Sequence, residues 1–402
     1  MSDLLRALPK IKSNGTPTHR PPPMPLTTAH EDGSSSDSSA STADSINTLR
    51  PASEQYIPPS NPWTEYFDQE LWLESQASDT QSTYHVYLTP PASPTKGPLF
   101  ICHHGAGASG MSFARFALAV RGIMPSAGVC SLEARDHGSV VRAAGGEQVS
   151  DFSIEALVSD ALTMIELVKE RMGWAQLPPS VFVGHSLGGA IATRIAAEGS
   201  LGGQLVGFAV LDVVEGSAIE ALMHMKTYLA SRPASFSSID AAVEWHVRSR
   251  TLRNPESARA SVPSLLVRSG DRWTWRTDLM RTQKYWEDWF TGMSGRFLRG
   301  KAAKALLLAG TDRLDRELMV GQMQGKWHDT LCLFLIHTME GELSEVAGKF
   351  QLTVIPEAGH FVQEDVPEKT AQLMVEFFKR NDRSAMVLPP KVSDLLAQGR
   401  KV

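Results

Sequence analysis

The stretch Pro178-Pro179-Ser180-Val181-Phe182-Val183-Gly184-His185-Ser186-Leu187-Gly188-Gly189-Ala190-Ile191-Ala192 decides the fold. Val181 to Val183 is β-branched and aromatic, the composition of a short buried strand. Gly184-His185-Ser186-Leu187-Gly188 is a G-x-S-x-G pentapeptide, and a small-residue helical pattern follows from Gly189 through Ala197. Strand, tight turn and helix in direct succession form a nucleophile elbow. Such a turn strains the backbone of the serine, leaves room only for glycine on either side, and lifts the hydroxyl above the sheet edge. The helix N-terminus beneath it favours developing negative charge. The pentapeptide alone is a common string; the strand before it and the helix after it give it weight.

Outward from the elbow, strand and helix patterns alternate. Toward the N-terminus, Pro98 to Cys102 and Gly128 to Leu132 read as strands, with a helix from Phe113 to Val120 between them. Ser153 to Arg171 is an amphipathic helix, with Ile154, Leu157, Val158, Ala161, Leu162, Ile165 and Val168 recurring at threes and fours. Tyr66-Phe67 and Tyr84 to Leu88 read as the first antiparallel strands. Beyond the elbow, Leu205 to Leu211, Ala303 to Ala309 and Phe350 to Ile355 read as strands, and Val366 to Lys379 as the closing helix. This alternation predicts an α/β fold, a mainly parallel sheet with helices on both faces. Residues 216–300 break the rhythm and read as a mostly helical cap inserted over the strand ends, rich in tryptophan.

The main domain is expected over 61–380. Residues 1–60 are rich in Pro and Ser, bury no core, and are expected to be disordered; 381–402 reads as a loose tail. The segment 327–348 is atypical. Gly325-Lys326 recurs as Gly348-Lys349, and Leu331-Cys332-Leu333-Phe334-Leu335-Ile336 lies between. It reads as a surface excursion with a short buried helix or, the preferred reading, as translated intron sequence.

The net charge of −5 argues against a general nucleic-acid or membrane-surface binder. Cys102, Cys130 and Cys332 form no C-x-x-C pair, which fits a reducing compartment and supports neither a zinc site nor a disulfide framework. No apolar run is long enough for a signal peptide or a membrane span. The expected location is cytoplasmic or nuclear, with no metal and no cofactor.

A nucleophilic serine needs a base, the base needs an orienting carboxylate, and the oxyanion needs two backbone donors. Ser186 is the candidate nucleophile. His360, in Gly359-His360-Phe361 after the last strand, is the candidate base; His185, inside the pentapeptide, reads as a packing residue. The loop His104-Gly105-Ala106-Gly107 follows the Pro98–Cys102 strand, so the expected oxyanion donors are the backbone N–H groups of Ala106 and Leu187. Two aspartates compete for the acid. Asp312 follows a strand in the usual place, and spacing alone prefers it; Asp212 ends the Leu205–Leu211 strand.

Several strings carry a resemblance. Gly184 to Ala192, Leu211-Asp212-Val213-Val214-Glu215-Gly216-Ser217-Ala218, Glu244-Trp245, Arg253 to Arg259, Lys284 to Phe290, Leu306 to Asp315, Gly321-Gln322-Met323-Gln324-Gly325-Lys326 and Ala358-Gly359-His360 resemble the protein phosphatase methylesterases, serine esterases of the α/β-hydrolase superfamily. The likeness covers roughly 60–380. It implies an α/β-hydrolase fold and removal of the methyl ester from the carboxy-terminal leucine of the type 2A protein phosphatase catalytic subunit. It also implies Ser186 as nucleophile, His360 as base and Asp212 rather than Asp312 as acid. The family usually has a third glycine where this chain has Ala106, whose N–H serves equally. Two other readings stand beside it: a small-molecule esterase or lipase, and a non-catalytic binding protein on a hydrolase scaffold. The mixed Trp, Arg and Glu content of 216–300 suits a peptide better than a lipid, and a complete Ser, His and Asp set argues against a mere binder.

Overall fold

The computed structural model describes residues 63–77, 79–310, 318 and 350–382. The elbow strand lies inside a large sheet whose strands run in the order β1-β2-β4-β3-β6-β7-β11-β12, with β5 paired to β2. These are β1 (Gln69–Gln76), β2 (Thr80–Thr89), β3 (Leu99–His103), β4 (Gly128–Leu132), β5 (Val140–Ala143), β6 (Ser180–His185), β7 (Leu205–Leu211), β11 (Ala303–Leu308) and β12 (Phe350–Val354). Every pairing from β4 to β12 is parallel, and β2 pairs antiparallel with β1, β4 and β5. The central strands β3, β4 and β6 are buried along their whole length, as continuous apolar runs require in a sheet covered on both faces.

Two cores lie on the two faces. One gathers α2 (Ile154–Arg171), α3 (Leu187–Glu198) and the aromatic residues Trp286, Trp289 and Phe290. The other gathers α1 (Ala114–Ile123) and the closing helix Pro367–Asn381. Ser153 caps α2 by accepting the Ala156 N–H at 3.3 Å. The small residues of α3 let it lie close on the sheet: a Cβ on Gly189 would sit 2.9 Å from the side chains of Val210 and Val213.

Between β7 and β11 the chain forms α4 (Glu215–Ser231), α5 (Ile239–Arg248), α6 (Pro255–Ser261), α7 (Trp286–Phe290) and α8 (Met293–Arg299). It also forms a small antiparallel sheet, which the sequence reading of this interval as mostly helical lacks. Its strands are β8 (Ser235–Phe236), β9 (Leu266–Ser269) and β10 (Arg272–Trp275), in the order β8-β10-β9. Strands of two to four residues carry too little alternation to read. A two-residue turn at Gly270-Asp271, with Gly270 at φ 63°, closes the β9–β10 hairpin. Glu215, in the Asp-Val-Val-Glu-Gly string, accepts the N–H groups of Gly292 and Ser294 at 2.7 and 3.1 Å and so holds the start of α8.

Tyr66 and Phe67 differ from expectation. They are buried, but they sit in a turn, both amides bonded to Trp63 O at 2.9 Å, and β1 begins at Gln69. The readings for 1–60, for 327–348 and for the tail beyond Asp382 lie outside the described residues. Among the described residues no helix is long and apolar enough to cross a membrane.

Candidate active site

Ser186 stands between the end of β6 and the start of α3, at φ 51° and ψ −118°. Its neighbours have no room for side chains. A Cβ on Gly184 would lie 2.1 Å from Gly188 O, and one on Gly188 would lie 2.1 Å from His103 O. The Ser186 amide donates to Leu211 O at 3.1 Å, which ties the elbow to the end of β7. Leu187 is the first residue of α3, so its N–H has no acceptor within the helix.

The loop after β3 approaches the same serine. A Cβ on Gly105 would meet Ser186 Cβ at 2.9 Å, so glycine there lets the backbone pass directly beside the nucleophile. Two buried imidazoles hold this loop. His104 Nδ1–H donates to Gly105 O at 2.8 Å, and its Nε2 accepts the Ala134 N–H at 3.0 Å. His137 Nε2 accepts the Gly107 N–H at 2.9 Å, and its Nδ1–H donates to Arg135 O at 2.9 Å. Each ring accepts through one nitrogen and donates through the other, so both are neutral. Burial pushes both down to about 4. Glu133 Oε2 lies 3.4 Å from His104 Nε2, but that nitrogen already accepts a backbone proton, so the contact is not an ion pair. Burial raises the Glu133 carboxyl to about 7.

Asp212 and His360 meet directly. Asp212 follows β7, at φ 52°, with its amide bonded to Leu307 O at 2.7 Å. Its Oδ1 accepts the Ala309 N–H at 2.8 Å, and its Oδ2 accepts from His360 Nδ1 at 2.8 Å. The carboxylate is fully buried, whereas the imidazole is 41% exposed. A proton on Nδ1 leaves Nε2 of the neutral ring as the acceptor on the more open side. The loop bearing His360 is pinned at three points. Asp365 Oδ2 accepts the Gly359 N–H at 2.7 Å, Arg253 Nη1 donates to Glu357 O at 2.7 Å, and His185 Nε2 donates to His360 O at 2.8 Å. Asp365 Oδ1 also accepts the Arg253 N–H at 2.6 Å, which links this loop to the segment before α6.

The five residues expected from sequence thus occupy one edge of the sheet: Ser186 and Leu187 after β6, Asp212 after β7, Ala106 after β3 and His360 after β12. Asp312, preferred by spacing, lies outside the described residues. Sequence reasoning missed His104, His137, His185, Asp365 and Arg253 as positioning groups. His137 stood in Arg135-Asp136-His137-Gly138 at a strand end and was legible as a loop residue, but its bond to Gly107 depends on tertiary contact. Among the described residues no group of three or more His, Cys, Asp or Glu side chains is arranged to hold a metal ion.

Comparison with known proteins places this geometry. Residues 100–373 match the family model described as the alpha/beta hydrolase family. The chain is 46% identical to the protein phosphatase methylesterase 1 of Aspergillus fumigatus, over 99% of this chain and 93% of that protein. It is 51% identical to that of Gibberella zeae, over 85% of this chain and 80% of the relative, and 41% identical to that of Schizosaccharomyces pombe, over 82% and 87%. Among solved structures, E-2-(acetamidomethylene)succinate hydrolase superposes with a TM-score of 0.54 at 14% identity, over 77% of this chain and all of that one, a likeness of fold. The chain belongs to the protein phosphatase methylesterase family, within the α/β-hydrolase superfamily.

Proposed function

We propose that this chain removes the methyl ester from the carboxy-terminal leucine of the type 2A protein phosphatase catalytic subunit, with Ser186, His360 and Asp212 as the catalytic triad. The observation that carries the reading is the bond between His360 Nδ1 and the buried Asp212 carboxylate at 2.8 Å, at the sheet edge where the strained elbow presents Ser186. In this mechanism Ser186 Oγ attacks the ester carbonyl while His360 Nε2 takes its proton. The Asp212 carboxylate holds the imidazole in the required tautomer and stabilises the imidazolium. The tetrahedral oxyanion receives the N–H groups of Ala106 and Leu187, each worth about 3–4 kcal/mol of transition-state stabilisation. The imidazolium protonates the departing methoxide, and methanol leaves. Water, deprotonated by the same imidazole, then hydrolyses the acyl-enzyme and frees the leucine carboxylate. The elements in 216–300 serve as a cap that shapes access for a peptide tail.

The test is incubation with carboxymethylated phosphatase and detection of the free carboxylate and of methanol. Release by the native chain, and none by Ser186→Ala, is the expected result. Equal release by both proteins would remove Ser186 from the mechanism.

A further inference from the structure

Beside the loop after β3 lies a small concavity, lined by Gly107, Ala108, His137, Arg232, Trp275 and Arg276 among others. Arg232 follows α4 and Arg276 follows β10, so two cationic side chains from different elements of the 216–300 interval converge on it. The Arg232 guanidinium carbon lies over the Trp275 ring, 4.3 Å from its centroid. Its Nε is buried and has no hydrogen-bond partner among the described residues. Tyr228 and Asp278 both act on it electrostatically, but Asp278 Oδ1 accepts the Met280 N–H at 3.0 Å, and among the described residues no ion pair joins Asp278 to Arg232. Arg276 donates through Nε to Ser264 O at 2.9 Å and also has no carboxylate partner among the described residues. Burial pushes the Arg232 guanidinium below its ordinary value. A guanidinium shielded from water without an anion is costly to hold, and it is compensated when a carboxylate arrives.

We propose that this concavity takes the carboxylate side chain of an aspartate or glutamate in the substrate polypeptide, and that Arg232 and Arg276 are specificity residues for it. The inference rests on the esterase reading of Ser186. In a methyl ester the leaving group carries no side chain, so all recognition falls on the acyl side. The ester carbonyl is held at Ala106, and the concavity begins at the next residue, Gly107. An extended chain advances about 3.3–3.6 Å per residue, so the acidic residue lies within a few residues upstream of the ester. The Arg232 guanidinium is planar by its own delocalisation, and its contact with Trp275 restricts it, which suits a fork that meets two carboxylate oxygens.

The experiment uses short synthetic peptides that end in a leucine methyl ester, identical except for one Glu or Gln placed at each of the upstream positions in turn. The readout is the Glu-to-Gln ratio of kcat/KM, measured with the full chain and with Arg232→Gln, Arg276→Gln and Arg232→Lys. At one position the native ratio is expected to be about tenfold or more, expressed in KM, as for one charged hydrogen-bonded pair. Either Gln variant should bring that ratio toward one, and Arg232→Lys should keep part of it. A ratio near one at every position, or a ratio unchanged in both Gln variants, would overturn the proposal while the ester is still cleaved. Failure of the native chain to cleave any of the peptide esters would overturn the esterase reading and this inference together.

Discussion

Ser186 is held in a backbone conformation that side-chain-bearing residues rarely adopt, at φ 51° and ψ −118°. Such a residue costs about 1–3 kcal/mol, which the surrounding structure must offset. Glycine relieves this strain and alanine retains it. Ser186→Ala and Ser186→Gly are both expected to lower turnover about a million-fold, as loss of a triad nucleophile does. Only the glycine variant should melt at a higher temperature than the alanine one. Equal melting temperatures would show that the strain relieved is no larger than the entropy glycine adds to the unfolded chain. Asp212 shares the positive φ, at 52°, and this makes Asn the right probe there, since Asn tolerates that region better than Ala. Asp212→Asn keeps the shape and the bond from Ala309 but turns an amide toward His360. It is expected to lower turnover about ten-thousand-fold in a folded protein. Asp312→Asn should change the rate modestly. Kinetics on both, with circular dichroism as the folding check, decide the matter: a folded, active Asp212→Asn beside an inactive Asp312→Asn would move the acid to 312.

The loops that carry the site are positioned by groups whose protonation is set by burial. The strands, by contrast, were legible because their burial is continuous or nearly so: β4 and β7 match their expected spans, and β3 and β6 match theirs to within a residue or two. Ser186 and His360 were legible from their settings in the chain. Asp212 was not legible from spacing, because β7 and β11 are neighbours with their ends at the same edge, Leu211 opposite Leu307. The anchors of the proposed oxyanion loop were not legible at all, since the backbone N–H groups that His104 and His137 accept lie thirty residues away. These anchors have a consequence for stability. Burial holds His103 near 3 and His104 and His137 near 4, against 6.5 in an exposed histidine. Between about pH 6.5 and 4 the unfolded chain binds protons that the native loop refuses, so these groups lower stability as pH falls through that window. Glu133 has the opposite sign. Its carboxyl is raised to about 7 from 4.5, so the native state holds the extra proton and stability falls as pH rises through that range. Glu133→Gln removes this second effect. Its melting temperature, relative to the native chain, is expected to improve between pH 5 and about pH 7 and to level off by pH 8. A difference that stays constant across that range would mean that Glu133 does not titrate there in the folded protein.

At the scale of the molecule, the site lies at the carboxyl ends of parallel strands, where open α/β sheets place their ligands. The proposed oxyanion loop, nucleophile, acid and base follow β3, β6, β7 and β12, and β11 stands between the strands that precede Asp212 and His360. β11 and the residue just beyond it meet Asp212 through backbone groups: Leu307 O accepts the Asp212 N–H at 2.7 Å, and the Ala309 N–H donates to Asp212 Oδ1 at 2.8 Å. The stretch 309–349 joins β11 to β12 and contains the segment 327–348. The register runs from Lys304 opposite Phe350 to Leu308 opposite Val354, and it is fixed by the buried Leu306, Leu307 and Leu308. A parallel crossover requires a dozen or so residues. Deleting 327–349 joins Lys326 to Phe350 and leaves 309–326, which meets that requirement with residues to spare. The shortened chain is therefore expected to fold, to melt within about 4 °C of the full chain, and to keep its esterase rate within a few-fold. Transcripts from the source should in most cases read directly from Lys326 to Phe350, or lose an equivalent span shifted within the repeated Gly-Lys. An insoluble or inactive deletion would give the segment a structural part in the crossover. Transcripts that carry it intact across both junctions would make it a true element of the protein.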